Sequence, residues 1–210
     1  MTLSTKDGGL PPDSIVQDDD EVLADSERLV KAHHDPSWGS MVRVALAPCS
    51  PFSVSPELMR RTAELRAAGA PVGLGCDGSA STDSASLWIE ARTALLLGRQ
   101  RHGPTGMTAR EVLEVATRGG AGCLGRTGEI GELTVGAVGD LVCWPQEGVQ
   151  YVGTLTDPVE AWLRCGPVSA RHTVVAGKVV VRDGALTVGG VGEKLKQHAA
   201  AAARIQVVEP

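Results

Sequence analysis

The sequence predicts an α/β fold in which short apolar strands feed amphipathic helices, followed by a smaller β-rich portion. Three observations carry this reading. Pro71-Val72-Gly73-Leu74-Gly75-Cys76 is an apolar run that stops at Asp77, passes through Gly78-Ser79-Ala80-Ser81-Thr82-Asp83-Ser84, and gives way to a helical pattern from Leu87 to Leu97. Met41 to Ala47 is a second apolar run, interrupted only by Arg43 and stopped by Pro48, with a helical stretch after it. Beyond Ile130 the texture changes to β-branched pairs separated by Gly and Asp turn signals.

In chain order, the first twenty residues are rich in Gly, Pro and Asp, which predicts a loop or a disordered lead-in. Asp18, Asp19 and Asp20 suit the first turn of a helix, whose N-terminal dipole end favours carboxylates. Val22, Leu23, Leu29 and Val30 continue that helix to about His33. His33 and His34 are adjacent and diverge by about 100° on a helix, so they read as a solvated helix end rather than a chelating pair. Met41 to Ala47 reads as a buried strand, and Pro48-Cys49-Ser50-Pro51 as a rigid turn. Ser55 and Pro56 open the next helix, over 58–68, with a capping hydroxyl and Pro at the first position.

After the Asp77 strand, a helix is expected over 85–100. Thr108 and Glu111 form a capping box for the following one, which the run Gly119-Gly120-Ala121-Gly122 ends. That glycine run lacks the GxxxxGK[ST] or strand-GxGxxG setting of a phosphate loop. Leu141 to Trp144 is a short strand after the Gly139-Asp140 turn, and Asp157-Pro158 opens a short helix to Leu163. Thr173 to Val181 reads as two strands across a turn, Asp183-Gly184 as a second turn, and Glu193 to Ile205 as a peripheral Ala-rich helix.

Composition narrows the function. A hydrophobic content of 42% with 21% charge allows a sizeable core, and aromatics of 3% leave Ala, Val, Leu and Gly to pack it. The net charge of −5 speaks against a nucleic-acid surface. No apolar run reaches the roughly 18 residues of a membrane span. Thr2 to Asp7 lacks a signal-peptide core, so the cytoplasm is the expected compartment. Five widely spaced cysteines without a CxxC pair read as reduced core residues, Cys49 included, since no base stands near it in sequence. Asp77 at a strand end has two readings: a site carboxylate, because ligands collect at carboxyl ends of strands in α/β folds, or an ordinary loop or capping Asp.

Several of these motifs together resemble the amidohydrolase superfamily. Asp77-Gly78-Ser79-Ala80-Ser81 with Glu90-Ala91-Arg92 is similar to the last barrel strand of that family. The downstream order agrees: Ala116-Thr117-Arg118-Gly119-Gly120-Ala121, Gly128-Glu129-Ile130-Gly131, and Gly136 to Leu141 as a variant of the family's GxxADL turn. Lys6 to Asp13, Asp25 to Leu29, His33-His34-Asp35 and Ala47 to Pro51 resemble 8-oxoguanine deaminases and related hydrolases of aminated heterocycles. The resemblance implies an incomplete (β/α) TIM barrel over 1–125, a C-terminal β-sandwich portion over 126–190 and a helical tail over 191–210. It also implies hydrolytic deamination of a small purine-like heterocycle, one zinc or iron ion, and Asp77 as both a metal-site and a catalytic residue.

The departures matter as much. The family pattern needs a His-x-His pair and two further strand histidines, and no HxH occurs here. His33, His34, His102, His172 and His198 fall outside the ligand strands the pattern would use. A long middle section of the family pattern is also missing, so that Arg60 to Leu65 and Ala67 to Val72 abut as one helix. One carboxylate without imidazoles is a poor zinc site, so weak or no metal binding and no deaminase activity are expected of this chain alone. The competing reading is a non-catalytic remnant, or a partner of a full-length amidohydrolase. Homo-oligomerisation stays open. Arg43 either meets a substrate carbonyl or simply snorkels from a strand end, and Ser79 and Asp83 can cap the helix that follows them.

Overall fold

Capping side chains set where three helices of the first half begin. The structure, a computed structural model, describes residues 1–48, 53–78, 85–154 and 156–205. Helix α1 (Asp19–His33) starts where the Asp18 carboxylate accepts the N–H groups of Asp20 and Glu21, at 2.9 and 3.4 Å. Helix α2 (Pro56–Ala67) starts where the Ser55 hydroxyl accepts the Leu58 N–H at 3.0 Å, with Pro56 supplying the fixed φ of a first position. The same Ser55 hydroxyl donates to Asp19, and Arg61 reaches Asp20 at 2.6 Å, so the caps also tie α1 to α2. As expected from the sequence, α2 runs unbroken from Leu65 to Ala67, but it ends there, before Gly69 with φ 91°, so the Ala68–Val72 part expected in the same helix lies outside it.

Helix α3 (Leu87–His102) buries Ala91 and Leu95 and packs on α4 (Ala109–Glu114). Gly98 permits this contact, since a Cβ there would sit 2.9 Å from the Met107 side chain. The capping box of α4 is present: Thr108 Oγ1 accepts the Glu111 N–H at 3.2 Å, and a Glu111 carboxylate oxygen accepts the Thr108 N–H at 2.7 Å. Its C-terminal end corrects the sequence reading. The glycine run does not stop the helix; a π-helical turn (Val115–Gly119) leads into α5 (Gly120–Cys123). The lead-in is an ordered loop with two 3₁₀ turns, Thr5–Asp7 and Asp13–Ile15, anchored by the Thr2 and Leu3 N–H groups on the Ser53 carbonyl.

The predicted strands of this half are the main correction. Neither Met41–Ala47 nor the run before Asp77 belongs to a hydrogen-bonded ladder, and no parallel sheet forms among the described residues. A strand is held by neighbours about 4.8 Å away that complete its backbone bonds, and the described residues of this unit supply no such neighbour. Met41, expected to be buried, is 96% exposed, and Val42 is 54% exposed. The cysteines depart from expectation as well: Cys76, Cys123 and Cys165 are half-buried and Cys143 is exposed, though all four are free thiols. Cys49, with its turn Pro48 to Pro51, lies outside the described residues, as do Ser79 and Asp83.

Two compact units result, Met1–Ala137 and Val138–Pro210. The second holds a four-stranded antiparallel sheet in the order β1 (Leu141–Cys143), β2 (His172–Val175), β3 (Lys178–Arg182), β4 (Ala185–Leu186). Both expected turns are there, with Ala176-Gly177 and Asp183-Gly184 at positive φ, the twist-compatible hairpin geometry. Asp140 fastens the first turn by accepting the Ala176 N–H at 2.6 Å, and the Gly139 carbonyl accepts the Gly177 N–H at 2.9 Å. Helix α6 (Pro158–Cys165), capped by Asp157, buries Ala161, Trp162 and Leu163, and Trp162 packs on Trp144 with ring centroids 4.7 Å apart. Helix α7 (Val191–Ile205) buries no side chain.

Two substitutions test this packing by urea denaturation. Leu163→Ala empties a fully buried position in α6 and should cost about 2–5 kcal/mol. Thr108→Ala removes one half of the capping box and should cost about 1 kcal/mol.

Candidate functional site

The run leading to Asp77 is positioned by close backbone contact with the glycine-rich segment, a role that sequence reasoning missed. A Cβ at Gly119 would stand 2.1 Å from the Val72 carbonyl oxygen, and one at Gly73 would stand 3.0 Å from the Gly120 Cα. A Cβ at Gly122 would meet the Pro71 Cβ at 3.0 Å, and the Cys123 thiol donates to the Pro71 carbonyl at 3.5 Å. Small residues are therefore required on both sides of this seam. The signal was available in the sequence as a Gly-Gly-Ala-Gly run with no phosphate-loop context. The π turn places Gly119 at the seam, and π turns often mark places where a helix has been adapted to a local demand. Beside the seam lies a shallow groove lined by Ala70, Val72, Glu114, Val115, Arg118 and Thr127, with Arg118 held 3.5 Å from Glu132.

Asp77 itself is exposed and takes a left-handed backbone conformation, φ 58°. One carboxylate oxygen accepts the N–H of Gly78 at 2.7 Å. This local bond is Asp turn chemistry. No imidazole joins it. His33 ends α1, and His34 caps that end while its Nδ1 lies 3.1 Å from both the Val44 N–H and carbonyl groups, so His34 is engaged by the chain rather than merely solvated. His102 ends α3, His172 lies on β2 with Asp183 3.7 Å away, and His198 is on α7. Among the described residues no group of three or more His, Cys, Asp or Glu side chains is gathered to hold a metal ion. A zinc site takes three or four such donors, so the described donor set does not fit one at Asp77.

Arg43 donates from its guanidinium to the carbonyls of Pro36 and Ser37, at 3.0 and 3.1 Å, and lies against Gly125, which leaves no room for a Cβ. It is used as a loop clamp. Nearby, the Ser37 hydroxyl and then the Ser37 N–H, both bonded to the Asp35 carboxylate, hold that group below the ordinary carboxylate range. A lowered pKa stabilises the fold above the unfolded group's value and loses that contribution as pH falls through the folded value.

The sequence matches the amidohydrolase family over residues 36–180, and the chain belongs to that family. It is 32% identical to an 8-oxoguanine deaminase of Pseudomonas aeruginosa, over 98% of this chain and 65% of that protein. A 5-methylthioadenosine/S-adenosylhomocysteine deaminase of Syntrophobacter fumaroxidans is 32% identical over 81% of this chain and 36% of its own length. Among solved structures, atrazine chlorohydrolase TrzN from Arthrobacter aurescens, complexed with zinc, matches with a TM-score of 0.58 at 25% identity, covering 95% of this chain and 64% of that one. An adenosine deaminase from Xanthomonas campestris with bound zinc gives a TM-score of 0.61 at 26% identity, covering 69% and 33%. This chain thus spans two thirds or less of the relatives it matches. The alignment with the 8-oxoguanine deaminase extends over 292 positions, 82 more than the 210 residues present here, so at least that many positions face gaps in this chain.

The seam gives a direct test. Gly119→Ala should push the Pro71–Cys76 run off α5 and speed amide exchange at Gly73 to Cys76, leaving exchange in β2 and β3 unchanged. Acidification below the ordinary carboxylate range should loosen the Asp35–Ser37 turn, read as an Asp35 carboxyl NMR shift that titrates below the ordinary carboxylate range, with the Ser37 amide shift moving along the same curve.

Proposed function

We propose that this chain derives from a hydrolase of carbon–nitrogen bonds in cyclic amidines or purines such as 8-oxoguanine, that Asp77 is the carboxylate of its site, and that the chain alone does not turn over. The observation that carries the reading is the 32% identity to an 8-oxoguanine deaminase along 98% of this chain. In such a deamination, water adds to a ring carbon, the carbon–nitrogen bond breaks, and ammonia leaves. Asp77 would hold the attacking water, accept its proton and return it to the departing amine, the ordinary work of a general base and acid. Its exposure leaves it short of the dry, multiply coordinated setting in which that work is efficient.

The same reading takes residues 1–125 as a partial (β/α) barrel, 126–190 as a β-sandwich portion and 191–210 as a helical tail, in a protein of the cytoplasm. Among the described residues no helix is long and apolar enough to cross a membrane. The gaps opposite the relative, together with the lack of a described donor set, favour a second reading of the same chain as an incomplete family member that works with a fuller one.

The test is metal analysis of the purified chain together with ammonia release from 8-oxoguanine. We expect metal far below one ion per chain and no ammonia above the blank, with Asp77→Asn indistinguishable from the parent. Stoichiometric zinc or iron, with ammonia release abolished by Asp77→Asn, would establish instead a self-sufficient enzyme.

A further inference from the structure

We propose that His34 is a proton-operated switch that exchanges one backbone group of Val44 for the other as its hydrogen-bond partner. The observation is a single atom with two contacts: His34 Nδ1 lies 3.1 Å from the Val44 backbone nitrogen and 3.1 Å from the Val44 carbonyl oxygen. Both contacts cannot be favourable in one protonation state. A bare Nδ1 accepts the N–H and repels the carbonyl oxygen, whereas a protonated Nδ1 donates to the carbonyl and repels the N–H. The neutral ring, with its proton on Nε2, takes the Val44 N–H. The imidazolium donates to the Val44 carbonyl and releases that N–H.

Two further bonds keep the ring and the segment within reach of each other through the exchange. The His34 N–H donates to the Val30 carbonyl at 2.9 Å, which fixes the residue at the C-terminal end of α1, and the Asp35 N–H donates to the Val42 carbonyl at 3.1 Å. Neither bond uses a titrating group, so both hold in either state. His34 and Val44 are half-buried, so water makes up only part of whichever bond is given up.

The charged groups around the ring come from three segments. On α1, His33 adjoins it and Lys31 is paired with Glu27 at 2.5 Å. In the turn that follows, the Ser37 hydroxyl and N–H hold the Asp35 carboxylate below the ordinary range, so it stays ionised where imidazoles titrate, ordinarily between pH 5 and 8. From the Val44 side, Arg43 brings a guanidinium that donates to the Pro36 and Ser37 carbonyls. Of these neighbours only His33 is a second imidazole, and a variant separates the two rings.

The full chain should be followed by nitrogen-15 NMR from pH 5 to 8. The expected result is an Nε2–H tautomer for neutral His34 and a Val44 amide shift that titrates with the same midpoint as the His34 ring carbons. Val44 amide exchange, corrected for its intrinsic pH dependence, should be about tenfold faster on the acid side, the scale of one hydrogen bond. His34→Asn places an acceptor that does not titrate near the position of Nδ1 and should leave the Val44 shift flat with pH. His33→Asn should leave the Val44 titration in place. Unchanged helical circular dichroism and unchanged α2 amide shifts would show that both variants fold. An Nδ1–H tautomer in the neutral ring, a Val44 amide that does not titrate, a titration that survives in His34→Asn, or one that disappears in His33→Asn overturns the proposal.

Discussion

Backbone N–H and C=O groups must find partners, and in this chain that requirement separates what folds locally from what does not. Helices meet it within themselves and need help only at their ends, which Asp18, Ser55, Thr108 and Asp157 provide. The hairpins of the second unit meet it with near neighbours, through turns whose positive-φ residues suit the strand twist. A parallel strand cannot, because its partners come from elsewhere in the chain. Met41–Ala47 and the run before Asp77 are the segments the sequence reading took for such strands, and among the described residues they lie outside any ladder.

That division explains what could be read in advance. Helix positions, the capping box, the Asp157 cap and both hairpin turns were legible because each is decided within a few residues. The strands were misread for a physical reason. An apolar run reports a preference for burial, and burial requires something to pack against. The glycine run was misread for a different one. Four small residues in a row look like a helix stop when viewed locally, whereas here they allow α5 to approach the Pro71–Gly73 backbone, a contact between segments some fifty residues apart.

The candidate site shows the same split. The sequence reading singled out Asp77 from its place in a motif, and the structure shows a left-handed backbone and a bond to Gly78 there, the geometry of a tight loop. Its chemistry is another matter, because a catalytic carboxylate takes its properties from neighbours. The described surroundings of Asp77 are an exposed loop with a single local bond. The five histidines are spread over a helix end and its cap, a second helix end, a strand and a peripheral helix, each with local reasons for being there.

Helix α2 has one more consequence. Its twelve residues make a rigid rod of about 18 Å, placed between the two segments that failed to form strands. A strand, a crossover of a dozen or more residues and a second strand are the parts of a right-handed βαβ unit. The connecting helix is therefore long enough to serve as a crossover between two parallel strands, the length such a connection requires.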